Sequence, residues 1–275
     1  MKDSLEARVS TKRDYHALER RIKSIVDRSE FLDLEVIAHI GERNLPLYVI
    51  KTIEPRSNQT ICISAGVHGN EPEGIYGLLE FLERHSRDGD LFRRFNFIIF
   101  PVVNPLGYVV GKRFIRINVN RYFGREKRFT IKEVDAITAY LADKKINLFL
   151  DLHEDVDVKD FYVYERRRKG SVSLGRRIVQ AVNEEFSILK LRNIYGEPAC
   201  QGVVRSVGKE FTFEEYMFSR GARYAITAEV PGLNSRNKRD NTVGTRAAYL
   251  TIQSLLQGFL AIQQEQKERK KVYAR

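Results

Sequence analysis

The sequence predicts one α/β domain built on a mixed, mostly parallel twisted sheet with helices on both faces. Three observations lead to this fold class. Strand-like runs alternate with segments of helical apolar spacing along most of the chain. Several strand runs are continuously hydrophobic, as expected of strands that are covered on both faces. No internal repeat and no linker divides the 275 residues, so we expect a single domain over 1–275.

Two sequence patterns predict the individual elements. Helices are indicated where apolar residues recur every three to four positions, as at Tyr15, Leu18 and Ile22. Strands are indicated by short β-branched and aromatic runs that end at glycine, proline or polar residues. In chain order, we predict a helix over 14–27, strands over 34–40, 45–52 and 60–66, a helix over 74–85, a strand over 95–103, a helix over 131–143, strands over 146–152 and 161–165, helices over 173–186 and 211–221, a strand over 222–230, a helix over 242–265 and a basic C-terminal tail over 266–275.

The composition is that of an ordinary globular protein. With 43% hydrophobic and 30% charged residues, disordered, collagen-like and low-complexity chains are excluded. A domain of this length buries roughly three quarters of the surface of its unfolded chain, so it needs no disulfide or structural metal for stability. Cys62 and Cys200 both lie among apolar or small residues, and we predict that they are reduced thiols in the core.

The charge balance raises the question of a partner. The formal net charge is +11, which is compatible with binding to nucleic acid or to an acidic membrane surface. The N-terminal segment is charged throughout and lacks an apolar signal region. No segment approaches the roughly 18 apolar residues of a membrane span. We therefore expect a cytoplasmic protein.

Polar residues that follow two apolar strands form a candidate metal site. His68 and Glu71 follow the strand over 60–66, and His153 follows the strand over 146–152. In α/β sheets the ligand crevice lies beyond the carboxyl ends of the strands. Two histidines and one glutamate form a recurrent catalytic zinc set that leaves one position open for water. Taken singly, each histidine is better explained by a turn cap or a hydrogen-bonded strand end than by a metal site.

Two further segments carry groups that suit hydrolytic chemistry. Glu229 ends the strand over 222–230 among apolar neighbours, where a carboxylate could act as a general base or as a solvated strand end. The loop after the strand over 95–103 contains Arg113, Arg116, Asn120 and Arg121. Guanidinium groups bind carboxylates through paired hydrogen bonds and stabilise a developing oxyanion, although a solvated basic loop would have the same composition.

Together these segments resemble the zinc carboxypeptidase family, including its aspartoacylase and succinylglutamate desuccinylase branch. The similarity extends from about residue 14 to the final helix, and the residues match in order and spacing as well as in type. The matching residues are His68-Gly-Asn-Glu71, Asn104-Pro105-x-Gly107-Tyr108, Arg113, Asn120-Arg121, His153 in DLHE and Glu229 in TAEVPG.

The resemblance implies roles for individual residues. It implies an α/β hydrolytic domain with one zinc ion, for which His68, Glu71 and His153 are the ligands. Glu229 would be the general base and acid, and Arg113 would hold the oxygen of the scissile carbonyl. Asn120 and Arg121 would bind a carboxylate of the substrate.

The sequence departs from the family pattern at two places. Asn118 stands where the carboxypeptidases have an aspartate that orients the first zinc histidine; its carbonyl can accept the same hydrogen bond but adds no charge. The tyrosine that covers the substrate has no counterpart, and Tyr195 and Tyr216 are the nearest alternatives. By ungapped counting from Glu229, Glu214 is expected at the base of the side-chain pocket, where it would favour a C-terminal Lys or Arg. Glu214 is equally compatible with the exposed face of a short helix.

These observations lead to one leading function and two alternatives. The leading prediction is a zinc-dependent metallocarboxypeptidase that acts on a peptide with a free carboxylate. The first alternative is an N-acyl amino acid deacylase. The predicted N-terminal helix and two strands, and the lack of a β-rich C-terminal extension, favour the peptidase over it. The second is a noncatalytic basic binding module, based on the cationic clusters at 166–169, 236–239 and 267–271. No RNA-binding aromatic motif or helix-turn-helix accompanies these clusters, so we predict solvated surfaces without a specific nucleic acid.

Overall fold

The fold is described by a computed structural model over residues 13–124, 130–208, 210–232 and 242–273. These residues form one ten-stranded sheet with helices on both faces. The helices are α1 (Tyr15–Asp27), α2 (Glu73–His85), α3 (Gly89–Arg94), α4 (Pro105–Val110), α5 (Lys132–Leu141), α6 (Leu174–Val182), α7 (Phe213–Ser219) and α8 (Val243–Tyr273), with a 3₁₀ turn at Val119–Arg121. The strands are β1 (Leu32–Ile40), β2 (Leu45–Thr52), β3 (Thr60–Ala65), β4 (Asn96–Phe100), β5 (Leu148–Asp155), β6 (Tyr162–Arg167), β7 (Asn193–Ile194), β8 (Glu197–Cys200), β9 (Val203–Arg205) and β10 (Tyr224–Pro231).

The sheet is mixed, as predicted, and its parallel strands lie at the centre. The strand order is β1-β2-β4-β3-β5-β10-β6-β9-β8-β7. Strands β4, β3, β5 and β10 are parallel to one another, whereas the β1–β2 pair and the β7–β8–β9 group are antiparallel. The sheet is therefore less uniformly parallel than the sequence predicts. Its parallel centre brings the carboxyl ends of β3, β5 and β10 to one edge.

Helices cover the two faces of the central strands. Leu152 on β5 lies against Gly74 of α2, where an added Cβ would come within 2.8 Å of the leucine Cβ. Phe149 on the same strand packs against Phe213 of α7, with 4.6 Å between ring centroids. Residues three apart on a strand point to opposite faces, so α2 and α7 lie on opposite sides of the sheet. Both faces of β5 are buried, which explains its continuous apolar run.

The C-terminal helix is longer than predicted. α8 ends at Tyr273 rather than near residue 265, so 266–273 continue the helix instead of forming a tail. The sequence QEQKERKK at 264–271 consists of residues with good helix propensity, which allows the helix to extend past its apolar section. Within the described residues, no helix is long and apolar enough to cross a membrane.

The two cysteines differ in their environment. Cys62 on β3 has no exposed surface, as predicted. The prediction for Cys200 is wrong, because this thiol is exposed. β8 has four residues, and its inward-facing position is taken by Ala199, which leaves the adjacent Cys200 pointing outward. The cationic cluster predicted at 236–239 lies outside the described residues, as do the side chains of 270 and 271.

Candidate metal centre

Three of the predicted site residues meet at the carboxyl edge of the parallel strands. β3 and β5 are neighbours in the sheet, with Ala65 opposite Leu152. The loop after β3 carries His68 and Glu71, and the next position on β5 is His153. All three side chains are buried, with exposed fractions of 1 to 3%. One ligand atom from each lies within 4.8 Å of the other two.

The loop that carries His68 and Glu71 is fixed by close backbone packing against α4. A Cβ built on Gly69 would lie 1.9 Å from the carbonyl carbon of Gly107, so neither backbone has room for a side chain at Gly69. Asn104 begins α4 and its side-chain oxygen accepts a hydrogen bond from Gly107 N at 2.8 Å. The Asn104-Pro-x-Gly107 motif thus has a structural role, because Gly107 lets the loop that carries His68 and Glu71 pack directly against the backbone of α4.

The two histidine Nδ1 atoms and the Glu71 carboxylate converge. His68 Nδ1 lies 2.8 Å from Glu71 Oε1, and His153 Nδ1 lies 2.8 Å from Glu71 Oε2. The two Nδ1 atoms are 3.1 Å apart. Two imidazole nitrogens and a carboxylate are a donor set typical of zinc.

Hydrogen bonds on the far side of each ring fix which nitrogen faces the centre. His68 Nε2 lies 3.1 Å from Asn118 Oδ1, an oxygen that also accepts from the backbone N–H of Asn120 at 3.1 Å. His153 Nε2 lies 2.9 Å from Asp151 Oδ2. Both acceptors are oxygens, so each Nε2 carries the hydrogen and each Nδ1 can present a lone pair to the centre. Asn118 thus makes the hydrogen bond that the sequence predicted for it.

The electrostatics of this cluster favour a cation. Burial lowers the pKa of His68. Burial acts in the same direction on His153, but the carboxylates of Asp151 and Glu71 raise its pKa well above the usual histidine range. Burial alone would raise the pKa of Glu71, yet the two imidazoles hold it well below its usual range. The carboxylates of Asp151 and Glu71 thus favour positive charge at this buried centre, which a divalent metal ion would supply.

Glu229 lies next to this donor set. It is opposite His153 in the register of the neighbouring parallel strands β10 and β5. Burial raises the pKa of the Glu229 carboxyl to about 8, with a further contribution from Glu71 and Asp155 and an opposing one from His153. A carboxyl group held beside three metal donors, in a partly desolvated setting, is suited to carrying a proton during hydrolysis.

Arg113 reaches the same centre from the loop that follows α4. Its Nη1 donates to Glu71 Oε1 at 2.8 Å, and about half of its side chain is exposed, at 47%. The guanidinium is thus anchored on one side to a proposed metal ligand. Its remaining N–H groups are available to a substrate oxygen.

Asn120 and Arg121 lie on the 3₁₀ turn that follows. The Asn120 side chain is buried and its Oδ1 accepts from Phe213 N at 2.9 Å, which joins the turn to α7. Arg121 Nη1 pairs with the exposed carboxylate of Glu210. An exposed ion pair is weak, so a substrate carboxylate could replace Glu210 at Arg121.

Glu214 lies on the buried side of α7 rather than on its exposed face. Its side chain is 5% exposed, and the nearest cation is Arg166, whose Nε is 3.7 Å from Glu214 Oε1. Both of these atoms are buried and have no hydrogen-bond partner within the described part of the chain. Burial raises the pKa of Glu214 to about 8, against the opposing effect of Arg166. An uncharged acid beside a guanidinium would not attract a cationic side chain.

Of the two candidate tyrosines, Tyr195 points toward the site. Its hydroxyl lies 3.3 Å from Asp155 Oδ2, at the end of β5, and the same oxygen accepts from Tyr162 at 2.6 Å. Tyr195 is 69% exposed and has a left-handed backbone, with φ of 49°. Tyr216 instead packs among aromatic rings, 6.3 Å from Phe123 between centroids.

Sequence reasoning missed the residues behind the metal ligands. Asp151 holds the His153 ring, and Ser64 Oγ donates to the other oxygen of Asp151 at 2.7 Å. Both side chains are completely buried. The available signal was an aspartate two residues before the histidine on one strand, which places both on the same face. Ser64 gave no such signal, because its contact crosses from β3 to β5.

Comparisons with known proteins agree with this geometry. Residues 57–255 match the family described as the succinylglutamate desuccinylase/aspartoacylase catalytic domain. No match was found among curated proteins. A protein of Shewanella amazonensis SB2B, named as a candidate metallopeptidase, is 26% identical with a TM-score of 0.76, covering 88% of this chain and 92% of its own. One of Shewanella denitrificans OS217, named in the same way, is 26% identical with a TM-score of 0.75, covering 88% and 89%.

A more distant structure extends the similarity of fold. A metallo-carboxypeptidase of Burkholderia cenocepacia is 18% identical with a TM-score of 0.69, covering 92% of this chain and 70% of its own. The family match spans well over half of the sequence, and it includes His68, Glu71, His153 and Glu229. The predicted relation to the zinc carboxypeptidases and their deacylase branch is confirmed, and the chain belongs to the family of succinylglutamate desuccinylase/aspartoacylase catalytic domains.

Proposed function

We propose that the protein is a zinc-dependent metallocarboxypeptidase that hydrolyses the C-terminal peptide bond of a peptide substrate. The observation that carries the proposal is the position of Glu229 opposite His153, beside a buried set of two Nδ1 atoms and one carboxylate. Metallopeptidase names among proteins of the same fold support it. His68, Glu71 and His153 would hold the zinc ion, which when bound acidifies water and polarises a carbonyl.

The residues around the centre would transfer the proton, stabilise the developing negative charge and bind the substrate carboxylate. The Glu229 carboxylate takes a proton from the attacking water and delivers it to the nitrogen of the leaving amine. Arg113 donates an N–H to the carbonyl oxygen as negative charge develops there, an interaction of about 3 kcal/mol for one well-placed donor. Asn120 and Arg121 bind the terminal carboxylate, with Arg121 exchanging its exposed partner Glu210 for the substrate.

A second candidate is the hydrolysis of an N-acyl amino acid. The observation in its favour is the family match, because the family description names a desuccinylase and an aspartoacylase. Both reactions cleave an amide bond near a free carboxylate and would use the same residues. They differ in what lies on the acyl side of the scissile bond, which is a peptide in the first reaction and a single acyl group in the second.

The proposed pocket preference changes once Arg166 is considered. A charged Glu214 would favour a C-terminal Lys or Arg. Arg166 lies 3.7 Å from Glu214, and the pKa of Glu214 is raised to about 8 by burial. We therefore propose that this position favours an uncharged, hydrogen-bonding side chain over a cationic one. Cleavage rates of blocked dipeptides ending in Gln, Phe and Arg test this preference; a clear advantage for Arg would restore the first hypothesis.

The central experiment compares metal binding with turnover. Metal content is measured by mass spectrometry, and blocked dipeptides and N-acyl amino acids are screened in parallel, with and without a chelator. Glu229→Gln should keep stoichiometric metal and lose at least about 100-fold in kcat, because the proton carrier is gone while the ligands remain. Glu30→Gln, which changes an exposed glutamate, is the matched control.

Two results would contradict the assignment. Loss of metal in Glu229→Gln would make Glu229 a ligand rather than a base. Wild-type protein without stoichiometric metal would remove the whole mechanism. Turnover of N-acyl amino acids without turnover of peptides would replace the leading proposal by the second candidate.

A further inference from the structure

A basic groove lies beside strands β6, β8 and β9, and none of the proposed metal ligands or catalytic residues lines it. The groove is formed by the turn between β6 and α6, the first turn of α6, and strands β8 and β9, and it encloses about 910 Å³. One carboxylate, Glu165, lines it. The cationic residues that line it are Arg166, Arg167, Arg168, Lys169, Arg176 and Arg205.

Half of these cations are already committed to the protein itself. Arg166 Nη2 donates to the carbonyl oxygen of Gly208 at 2.7 Å. Arg167 pairs with Glu165, and Arg168 donates to the carbonyl of Ala222 at 3.2 Å. Their positive charge still contributes to the field in the groove, but their hydrogen-bonding geometry is set by the fold.

The other three cations have no such partner. Lys169, Arg176 and Arg205 are exposed, and none forms a side-chain ion pair or hydrogen bond within the described part of the chain. They come from three different segments, namely a turn, a helix and a strand. Three like charges held around one concavity repel one another unless an anion lies between them.

The N-terminus of α6 is not available as a binding site for an external anion. Its free N–H groups are already satisfied by Glu165, whose Oε1 accepts from Leu174 N and Gly175 N at 2.8 and 2.9 Å. Ser173 Oγ also donates to Glu165 at 2.8 Å. The single carboxylate of the groove is therefore fully occupied by the helix and by Arg167. An external anion would face Lys169, Arg176 and Arg205 instead.

The groove is remote from the metal centre. Arg167 is opposite Tyr224 on β10, whereas Glu229, five residues further along the same strand, marks the metal centre. At the rise of a β-strand this separation is about 17 Å. A compact ligand at this end of β6 would therefore lie away from Glu229, although Arg166 also lies 3.7 Å from Glu214, which we place at the base of the substrate pocket.

The shape of the groove selects among anionic ligands. Its volume is in the range of small-molecule sites, roughly 300 to 1,000 Å³. β9 is paired with β6 on one side and with β8 on the other, so no strand edge is open to an acidic peptide. Among the described residues of the lining, Phe218 is the only aromatic one, and the Arg168 guanidinium covers one face of its ring at 4.2 Å from the centroid, so the groove has no open platform of stacked rings for bases.

We propose that the basic groove is a binding site for a compact ligand that carries two or more linked phosphate groups. Three cations that line one groove, and that have no side-chain partner within the described residues, match the charge and the oxygen-rich surface of a di- or triphosphate. Inorganic polyphosphate and the phosphate chain of a nucleotide present the same chemistry. The test of this site does not require a substrate of the proposed hydrolysis.

An exposed thiol in the groove provides a direct readout. Cys200 lines the groove and is exposed, whereas Cys62 has no exposed surface. A thiol reagent added to the folded protein should therefore modify Cys200 alone, and Cys200→Ser should abolish the labelling. The rate of modification by iodoacetamide is measured at about 0.15 M salt with orthophosphate, triphosphate, adenosine triphosphate or a ten-nucleotide oligothymidylate, at equal total phosphate.

We expect triphosphate to slow the modification of Cys200 at least fivefold, and orthophosphate to have little effect. Lys169→Gln combined with Arg205→Gln should remove this protection. Arg20→Gln combined with Lys132→Gln is the matched control, because it removes the same charges from α1 and α5 at the other end of the sheet and should keep the protection. Circular dichroism establishes that both double variants fold.

The same experiment can overturn the proposal. Absence of protection by triphosphate and adenosine triphosphate would do so, as would an equal loss of protection in the two double variants. Protection by oligothymidylate alone would replace the compact ligand by an extended nucleic acid. Equal protection by both triphosphates would assign recognition to the phosphate chain, whereas a stronger effect of adenosine triphosphate would assign it to a nucleotide.

Discussion

Single residues decide the metal chemistry of this protein because the ligands depend on groups behind them. His153 faces the centre through Nδ1 since its Nε2 is held 2.9 Å from Asp151. Asp151 is itself held by Ser64. A metal ligand that is oriented in this way keeps its lone pair directed at the centre without an entropic cost on binding.

Asp151→Asn tests this arrangement. The amide oxygen can still accept from His153, but the negative charge that makes the imidazole a stronger ligand is lost. We expect metal affinity to fall about 10- to 100-fold, measured by competition with a chromogenic chelator. Asp160→Asn, which alters a half-buried aspartate that accepts a hydrogen bond from Ser187, should leave affinity unchanged. Unchanged affinity in Asp151→Asn would assign Asp151 a purely structural role.

Glu214 should make stability depend on pH. Burial raises the pKa of this carboxyl from its usual 4.5 to about 8 in the folded protein. The folded state therefore keeps a proton that the unfolded state releases, so the stabilising effect is complete below pH 4.5 and is lost as pH rises through 8.

Glu214→Gln removes this titration while keeping the shape of the side chain. When the pH is raised from 5 to 9, the unfolding free energy of the variant should increase relative to that of wild type by at least about 1.4 kcal/mol. Urea denaturation at the two pH values measures the difference. The same gap between variant and wild type at both pH values would show that Glu214 does not titrate in this range.

At the level of elements, the position of the metal loop depends on two glycines in contact. Gly69 lies so close to Gly107 of α4 that a Cβ would overlap the backbone. Long elements with strong periodicity, such as α1 and β10, were predictable because each contains several repeats of its period. β7, β8 and β9 have two to four residues each and show no period that would predict them, because strands this short exist only through their pairing.

Gly69→Ala should displace the loop that carries His68 and Glu71. The overlapping atoms belong to backbone, so relief requires moving α4 or the loop itself. We expect a loss of about 1 to 3 kcal/mol in unfolding free energy, together with weakened metal binding. Gly124→Ala is the matched control, because the nearest atom to its added Cβ would be 3.9 Å away. Full metal binding in Gly69→Ala would show that the loop adapts to the added methyl group.

At the scale of the whole molecule, bound metal should hold two distant parts of the chain together. His68 and Glu71 follow β3, whereas His153 belongs to β5, 82 residues after Glu71. The three ligands come together only when the sheet forms, so the folded state binds metal far better than the unfolded chain.

Removal of the metal should therefore lower thermal stability. A ligand at 100 times its Kd stabilises the folded state by about 2.7 kcal/mol, so we expect a chelator to reduce Tm by several degrees and added zinc to restore it. His68→Ala should abolish this response. His16→Ala, which changes a histidine whose side chain is 74% exposed, should retain it. An unchanged Tm on chelation would argue against a metal bound at this centre.

The sequence by itself determined the α/β class, the major elements and the identity of the proposed ligands. Periodicity and residue order are local properties of a chain, and the family pattern fixes which histidines and glutamates matter. The tertiary structure decided what lies behind and between these residues. Ser64 donates to Asp151, Arg166 lies beside the buried Glu214, and Lys169, Arg176 and Arg205 line one groove. These contacts join positions far apart in sequence, so burial and charge balance at each of them exist only once the sheet has formed.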